Sequence, residues 1–420
     1  MISQVKGRSA HEWGWQNYLS WGACLCCSLS LAFIQTIPTI PAVAFLSVAV
    51  LYSVLFPLRV YRAVLWDFLP WMMPLLGAIS VIWSDQPALS LRAALQTAIT
   101  TLVGIMFAQA LQAGTFVAIV MYSQLASVLT SLYIPGEIFG AKNSLGFAIA
   151  LLILSGCWVM LDSKQLKFTR IVALLASLST PPMLFAAGSE GALLTGGFAL
   201  VCSFVPFLLR PLTPNARFWA IVSGLLVLSV ALWVAFWSYD DLLDVLLLSI
   251  GKDTTLTGRT VLWSYAVGFI ADHPFGVGLQ AFWVEGNRAA ERLWASFYIY
   301  NRGGFHFHNL WLEIGVELGV LGILIAALST LVILFSVVQW VLRDPQPESC
   351  FFAGFVSFMT WRTIGEAELY SQFNLAFIIF LASYYYARTY QYRLTTRVSA
   401  PLAQSLSQIA HQNSPNSGVN

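Results

Sequence analysis

A short run before the last large apolar block combines two imidazoles with an amide: His306, His308 and Asn309. An imidazole can accept and return a proton near neutral pH, so His308 is a candidate general base. The two histidines alternate, and in an extended chain their rings would face opposite ways. This spacing, with no well-spaced third ligand, argues against a shared metal site. A histidine that only contacts polar headgroups is the competing interpretation.

An arginine opens the second candidate site. Arg259 lies at the start of a predicted short helix, which Thr257 is suited to cap and Pro274 ends. The apolar face of this helix comprises Val261, Leu262, Tyr265 and Phe269. A guanidinium beside the free N–H groups of a helix start is a good anion site, although contact with lipid headgroups is an equally open alternative.

Polar corners between the apolar blocks form a third group. They are Trp83-Ser84-Asp85-Gln86-Pro87, Lys142-Asn143-Ser144, Gly188-Ser189-Glu190 and Arg362-Thr-Ile-Gly-Glu366-Ala-Glu368. Each is weak evidence alone, because loop corners are polar in any protein. All are predicted on the same side of a membrane as Arg259 and His308, and this shared side favours one common site.

The composition indicates what must position these residues. The chain is 58% hydrophobic and 10% charged, whereas soluble domains carry about 25% charged residues. We therefore predict an all-α polytopic membrane protein. The net charge of +2 is too small to suggest a nucleic-acid partner. The six cysteines lie in or beside apolar blocks, where small core residues are expected rather than a metal or disulfide framework.

Apolar blocks long enough to span a membrane predict about 12 transmembrane helices. The blocks are 21–38, 39–57, 65–83, 92–111, 113–133, 143–161, 168–187, 191–209, 217–238, 309–341, 349–363 and 369–387. With the N-terminus inside, 13 of the 21 Lys and Arg residues fall on the cytoplasmic side. The block 309–341 is too long for one span, and Gly315, Gly319 and Gly322 mark where it bends or emerges.

These blocks give a domain organisation of five parts. They are a cytoplasmic N-terminus (1–20), nine transmembrane helices (21–238), a large periplasmic loop with short amphipathic helices (239–308), three transmembrane helices (309–388) and a disordered cytoplasmic tail (389–420). The helix centres carry almost no ionisable residues, which argues against an ion-coupled transporter. A small-solute or ion permease is the alternative function, and a non-catalytic envelope scaffold is the third.

Residues 257–322 resemble the conserved region of the O-antigen ligase, O-antigen polymerase and exopolysaccharide polymerase superfamily. The matching pieces are Gly258-Arg259 with Leu262-Trp263, His273-Pro274 with Gly276-Val-Gly278 and Phe282, and His308-Asn309-x-x-Leu312 with Glu317-x-Gly319-x-x-Gly322. The corners Trp83-Ser84-x-x-Pro87 and Lys142-Asn143-x-x-Gly146 look like the exopolysaccharide polymerase branch.

The resemblance implies a glycosyltransferase in the bacterial inner membrane, with its site on the periplasmic side. The donor would be a glycan on undecaprenyl diphosphate, and the acceptor a lipid-linked repeat or lipid A core. Arg259 would hold the diphosphate, and His308 would take or help place the acceptor hydroxyl proton. No metal, nucleotide or other cofactor is implied. The two branch-like corners favour a polymerase slightly over a ligase.

One position departs from the family pattern. Many members carry a basic residue after the serine that matches Ser189, whereas this chain has Glu190. A carboxylate cannot bind a diphosphate, so a second cation must come from elsewhere or the substrate differs. The candidates are Lys142, Arg302 and Arg362, and Glu366 and Asn309 complete the predicted substrate-binding set.

Overall fold

A computed structural model of the chain is helical in all the regular structure of its described residues. Those residues are 14–34, 39–133, 142–238, 258–300, 302 and 304–412, with the backbone alone described for 232–238, 395 and 397–412. The start of the predicted N-terminal segment (1–13), the first part of the predicted periplasmic loop (239–257, which includes Thr257) and the end of the tail (413–420) lie outside them.

Fifteen α-helices are described, and they are numbered here in chain order. They are α1 (Trp15–Ala32), α2 (Thr39–Leu55), α3 (Pro57–Trp66), α4 (Met72–Ile79), α5 (Pro87–Ala110), α6 (Ala113–Tyr133), α7 (Lys142–Leu161), α8 (Lys167–Ala186), α9 (Glu190–Leu208), α10 (Pro214–Ser238), α11 (Arg259–Asp272), α12 (Arg288–Ser296), α13 (Leu310–Arg343), α14 (Pro347–Arg362) and α15 (Leu375–Gln412).

Seven of the described helices, α5 to α10 and α13, are long and apolar enough to cross a membrane. The count is eight if α2 and α3, which meet at a 100° bend, form one span. Pro57 begins α3 at this bend, where its fixed φ and missing N–H suit a first helical position. The all-α membrane class is confirmed, while the number of twelve spans stays a prediction.

Two predicted boundaries differ from the structure. The N-terminal segment was expected to run to residue 20, but α1 already begins at Trp15. The tail was expected to be disordered from 389 onward, but α15 continues to Gln412. Apolar residues recur at helical spacing through this segment, which the polar composition concealed. They are Leu394, Val398, Leu402, Leu406 and Ile409.

The long helix α13 breaks at Gly319, as its glycines predicted. Gly319 has φ 69° and ψ −165°, a combination open only to glycine. The break leaves the carbonyls of Val316 and Glu317 without helical partners. A turn from outside the helix supplies them: Val277 N donates to Val316 O (3.1 Å) and Gly278 N to Glu317 O (2.8 Å). In return, Val320 N donates to Pro274 O (3.0 Å).

The Trp83 corner holds the other side of the same turn, which we call the docked turn (273–279). Trp83 Nε1 donates to Phe275 O (3.0 Å), and Asp85 N donates to Val277 O (3.0 Å). Gly278 has φ 105°, and a side chain there would collide with Ser84 Oγ. The Trp83 corner and the break in α13 are distant in sequence, yet both form hydrogen bonds with the docked turn. Together they fix the end of α11.

The described part of the predicted periplasmic loop is folded around its own apolar core. Phe282, Trp294 and Phe307 are buried there together with Leu262 of α11. The predicted apolar face of α11 is wrong at one position, because Val261 is 65% exposed and Ala266 is buried instead. The core of the loop lies against Leu262 and Ala266, which sets the rotation of the helix. The loop therefore presents Arg259 from a fixed platform.

Candidate active site

Asn309 positions the histidine segment. Its Oδ1 accepts from Trp311 N (3.0 Å) and Leu312 N (3.1 Å), which caps the start of α13. Its Nδ2 donates to Ile364 O (3.2 Å). Leu310 N also donates to Thr363 O (2.9 Å), so the segment before α13 is tied to the turn after α14. Asn309 was predicted to bind substrate, and the structure gives it a capping and tethering role.

His306 and His308 lie on the same side of the chain, contrary to the expectation from their spacing. Their ring centroids are 4.1 Å apart. The reason is that His308 has φ 51°, in the left-handed region, so the segment is not extended there. His308 N donates to His306 Nδ1 (3.0 Å), which fixes the first ring against the backbone of the second. Both rings consequently face Glu366.

Glu366 is the point where four separate segments meet. Asn143 Nδ2 donates to its Oε1 (2.7 Å), and Arg259 Nη2 lies 3.7 Å from the same oxygen. His308 Nδ1 and His306 Nε2 lie 3.5 Å and 3.9 Å from Oε2. The Glu366 side chain is only 12% exposed. We call Arg259, His306, His308 and Glu366 the Glu366 cluster.

The electrostatics of the Glu366 cluster favour a charged carboxylate beside neutral His306. Burial alone would raise the pKa of Glu366, but the neighbouring His308 and the positive charge of Arg362 outweigh it and hold this pKa below its usual value. Burial, assisted by His308 and opposed by Glu366, lowers the pKa of His306 to about 4. His306 is therefore uncharged at neutral pH, and Glu366 is ionised.

Two of the three predicted second cations are already held by acids. Arg362 is 4% exposed and donates through Nε (3.1 Å) and Nη2 (2.6 Å) to the two carboxylate oxygens of Glu368. Arg302 lies 2.9 Å from a carboxylate oxygen of Glu291 and 3.7 Å from one of Glu285, within the loop. Both arginines were predicted to bind substrate, and the structure uses them to hold local folds.

Lys142 is the most exposed of the three predicted cations. Its side chain is 64% exposed, and its Nζ lies 3.9 Å from Glu190 Oε2. The neighbouring residue Asn143 donates to Glu366, and Ser189 Oγ donates to Asn143 Oδ1 (3.2 Å). Lys142, the first residue of α7, thus places a positive charge beside Glu190, where the chain departs from the family pattern. Asn143, Ser189 and His306 were missed as site residues, although two of them lie in corners that the sequence placed on the same side.

Comparison with known proteins adds independent support. The family model for O-antigen ligase matches residues 171–327, from α8 to just beyond the break in α13. The exopolysaccharide production protein ExoQ of Rhizobium meliloti (strain 1021) is 29% identical over 353 aligned residues, with 77% of each chain covered. Both matches support the O-antigen ligase and polymerase superfamily. The resemblance predicted from the motifs is therefore confirmed.

The superfamily match includes only part of the Glu366 cluster. Arg259, His306 and His308 fall inside the residues matched to O-antigen ligase, whereas Asn143 and Glu366 fall outside them. The motif glycines inside the match, such as Gly278 and Gly319, belong to the docked turn and the helix break. The motifs of this protein thus combine a few groups able to do chemistry with the residues that fix their platform.

His306, His308 and Glu366 also resemble a metal site, since one ligand atom from each lies within 4.8 Å of the others. The hydrogen bond from His308 N argues against it. Because His306 Nδ1 accepts that hydrogen bond, the neutral ring carries its proton on Nε2, and neither nitrogen has a free lone pair for a cation. The nearby Arg259 guanidinium also disfavours a bound cation. The two imidazoles and the Glu366 carboxylate are therefore better suited to share a proton than to bind a metal ion.

This assignment predicts that chelators leave the activity intact. Washed membranes that contain this protein should synthesise polysaccharide at the same rate before and after treatment with millimolar EDTA, because this assignment gives no metal ion a role at Glu366. The rate of polysaccharide synthesis is the measurement, with MgCl₂ added back as the control. A loss of rate that one divalent ion restores would contradict the assignment.

Proposed function

We propose that this protein is a glycosyltransferase that joins undecaprenyl-diphosphate-linked oligosaccharides into a cell-surface polysaccharide. The matches to O-antigen ligase and to an exopolysaccharide production protein support a membrane enzyme of polysaccharide synthesis. One observation carries the finer proposal: the His308 ring lies 3.5 Å from a buried carboxylate that also lies beside Arg259. A base and a cation at one site are what transfer from a diphosphate carrier to a hydroxyl requires.

His308 acts as the general base. Its Nδ1 is shielded from solvent and faces Glu366, so we assign the ring proton to Nδ1 and the lone pair to Nε2. Nε2 takes the proton of an acceptor hydroxyl, and the hydroxyl oxygen forms a bond to the anomeric carbon of the donor sugar. The bond from that carbon to the diphosphate oxygen breaks as this happens. The Glu366 carboxylate stabilises the imidazolium that forms.

Arg259 binds the diphosphate that leaves. It is the first residue of α11, and Gly258 at the N-cap position has no side chain that could occupy the free N–H groups of the first turn. An anion there meets both the guanidinium and the helix dipole. Lys142 is the second cation of this proposal, because its side chain is 64% exposed and its contact with Glu190 is long (3.9 Å), whereas carboxylates lie much closer to Arg302 (2.9 Å) and Arg362 (2.6 Å).

The acceptor decides between the two reactions of the superfamily. A polymerase extends a lipid-linked repeat, and a ligase transfers the finished chain to lipid A core. The similarity to a protein named for exopolysaccharide production favours the polymerase, as do the Trp83 and Lys142 corners. The proposal places the protein in the bacterial inner membrane, with the Glu366 cluster on the periplasmic side.

Replacing Arg259 with alanine tests this function. In a deletion strain complemented with Arg259→Ala, we expect transfer to fall by about 10²–10³-fold, because a charge that stabilises the leaving diphosphate is lost. Surface glycan is separated on a gel and compared with that from Arg292→Ala. Arg292 is exposed on α12, and its one hydrogen bond among the described residues is donated to a carbonyl of its own helix, so this control should make normal glycan.

The form of the glycan separates the outcomes. Single repeats left unextended indicate a polymerase, and full-length chains left on the carrier indicate a ligase. Normal glycan from Arg259→Ala, with both proteins at equal levels in the membrane, would overturn the proposal and favour the permease alternative.

A further inference from the structure

A cleft opens between the end of α1, the start of α7, the middle of α6 and the start of α15. Its lining includes Gln124, Ser144, Phe147, Glu368, Phe373 and Asn374. Ser144 follows Asn143, and Glu368 lies two residues from Glu366, so the cleft adjoins the cluster through both segments.

Gln124 gives the cleft its most informative feature. This residue is 3% exposed, yet no hydrogen bond of its side-chain amide is found within the described part of the chain. Its amide offers two N–H donors and one carbonyl acceptor, and these atoms are not among the polar atoms sealed inside the described core, so they are open to the cleft. Gln124 lines the cleft, so a ligand held there can supply the missing partners.

Two further polar groups have unused bonding capacity. Asn374 Oδ1 caps α15 by accepting from Ala376 N (2.7 Å) and Phe377 N (3.3 Å), and its Nδ2 donates to no described group. The Glu368 carboxylate is neutralised by Arg362, but its oxygens can each accept another hydrogen bond. The described lining includes no Lys, Arg or His residue, so a diphosphate has no counter-charge there.

This chemistry fits a sugar ring. Amides and a carboxylate bond hydroxyl groups, while the rings of Phe147 and Phe373 offer apolar surfaces to the C–H face of a sugar. A prenyl chain would fit the apolar part of the lining but would leave the amides of Gln124 and Asn374 unpaired. We infer that the cleft binds the reacting sugar of the acceptor glycan beside His308, an assignment that depends on the proposed function.

The positions of the cationic side chains favour the acceptor sugar over the donor sugar as the ligand of the cleft. The reacting donor sugar is bonded directly to its diphosphate and must lie beside Arg259. The reacting sugar of an acceptor repeat is the one farthest from its own carrier, so its site needs no cation. The cleft therefore binds the acceptor, which is the second glycan of the reaction. Its shape and polar groups select which sugar is extended.

Kinetics of Gln124→Leu test this assignment, because leucine keeps the approximate size and removes the amide. The purified enzyme is reconstituted in liposomes with lipid-linked repeats extracted from the deletion strain as donor. The same repeat, freed from its carrier by mild acid, is the acceptor probe. We expect the acceptor KM to rise about 10-fold, with the donor KM and kcat little changed, since a ground-state contact to the acceptor is lost.

Gln339→Leu is the matched control, because Gln339 lies near the far end of α13 and bonds Gln391 (3.0 Å). If Gln124→Leu does not give folded protein, Ala32→Trp, which fills the cleft from the end of α1, should raise the same KM. An acceptor KM equal to that of the wild type in an active enzyme would overturn the cleft assignment alone, as would a change confined to the donor KM. A wild-type enzyme that extends no glycan would overturn the proposed function and this assignment together.

Discussion

His308→Ala is expected to lower glycan transfer by about 10²–10⁴-fold, the usual contribution of a general base. The imidazole lies 3.5 Å from the buried, ionised Glu366, which both orients the ring and stabilises its charged form. Alanine removes the proton acceptor and leaves Glu366 with Asn143, Arg259 and His306 as neighbours. The rate of extension of lipid-linked repeats in reconstituted membranes measures the effect.

His273→Ala provides the matched control for this prediction. His273 is another histidine of the loop, but it is exposed and stacks on Phe269 with ring centroids 4.2 Å apart. Its loss should leave transfer near the wild-type rate. Equal rates for His308→Ala and the wild type, at equal protein levels, would exclude His308 as the base and require another proton acceptor for the hydroxyl.

Gly319→Ala is expected to lower the free energy of unfolding by about 2–5 kcal/mol, from backbone strain and overpacking together. Its φ of 69° with ψ of −165° is strained for alanine. The added Cβ would also collide with Pro274 O and the backbone of Phe275 in the docked turn. Because the docked turn follows α11 directly, we expect Gly319→Ala to displace Arg259 and reduce transfer as well.

Thermal unfolding of the detergent-purified protein measures this effect as a lower midpoint. Gly268→Ala on α11 is the control, because Gly268 is helical and a Cβ there meets open space. That substitution should leave the midpoint unchanged or raise it slightly. Alanine is more favourable than glycine inside a helix by up to about 1 kcal/mol. A wild-type midpoint for Gly319→Ala would show that the break in α13 does not need glycine.

Much of the fold and part of the site were predictable from local sequence. Composition determined the helical membrane class, because hydrocarbon leaves helices as the available backbone structure for such apolar segments. Three glycines, Gly315, Gly319 and Gly322, predicted a bend in this apolar block, and the structure has the break at Gly319. The motifs and polar corners also singled out Arg259, His308 and Glu366, which the structure brings together. These features depend on the residue itself or on its near neighbours in the chain.

Only the tertiary structure decided how those residues meet. Asn143 and Glu366 lie 223 residues apart in the chain, yet they form a hydrogen bond of 2.7 Å. The periodicity of apolar residues in the sequence does not predict such a contact, because the contact follows from how helices pack. The sequence also did not predict the left-handed conformation of His308, which brings both imidazoles to one side. Nor did it predict the acids that hold Arg302 and Arg362. The sequence by itself determined which chemical groups and helices this protein has, and packing over long chain separations decided which groups share one site.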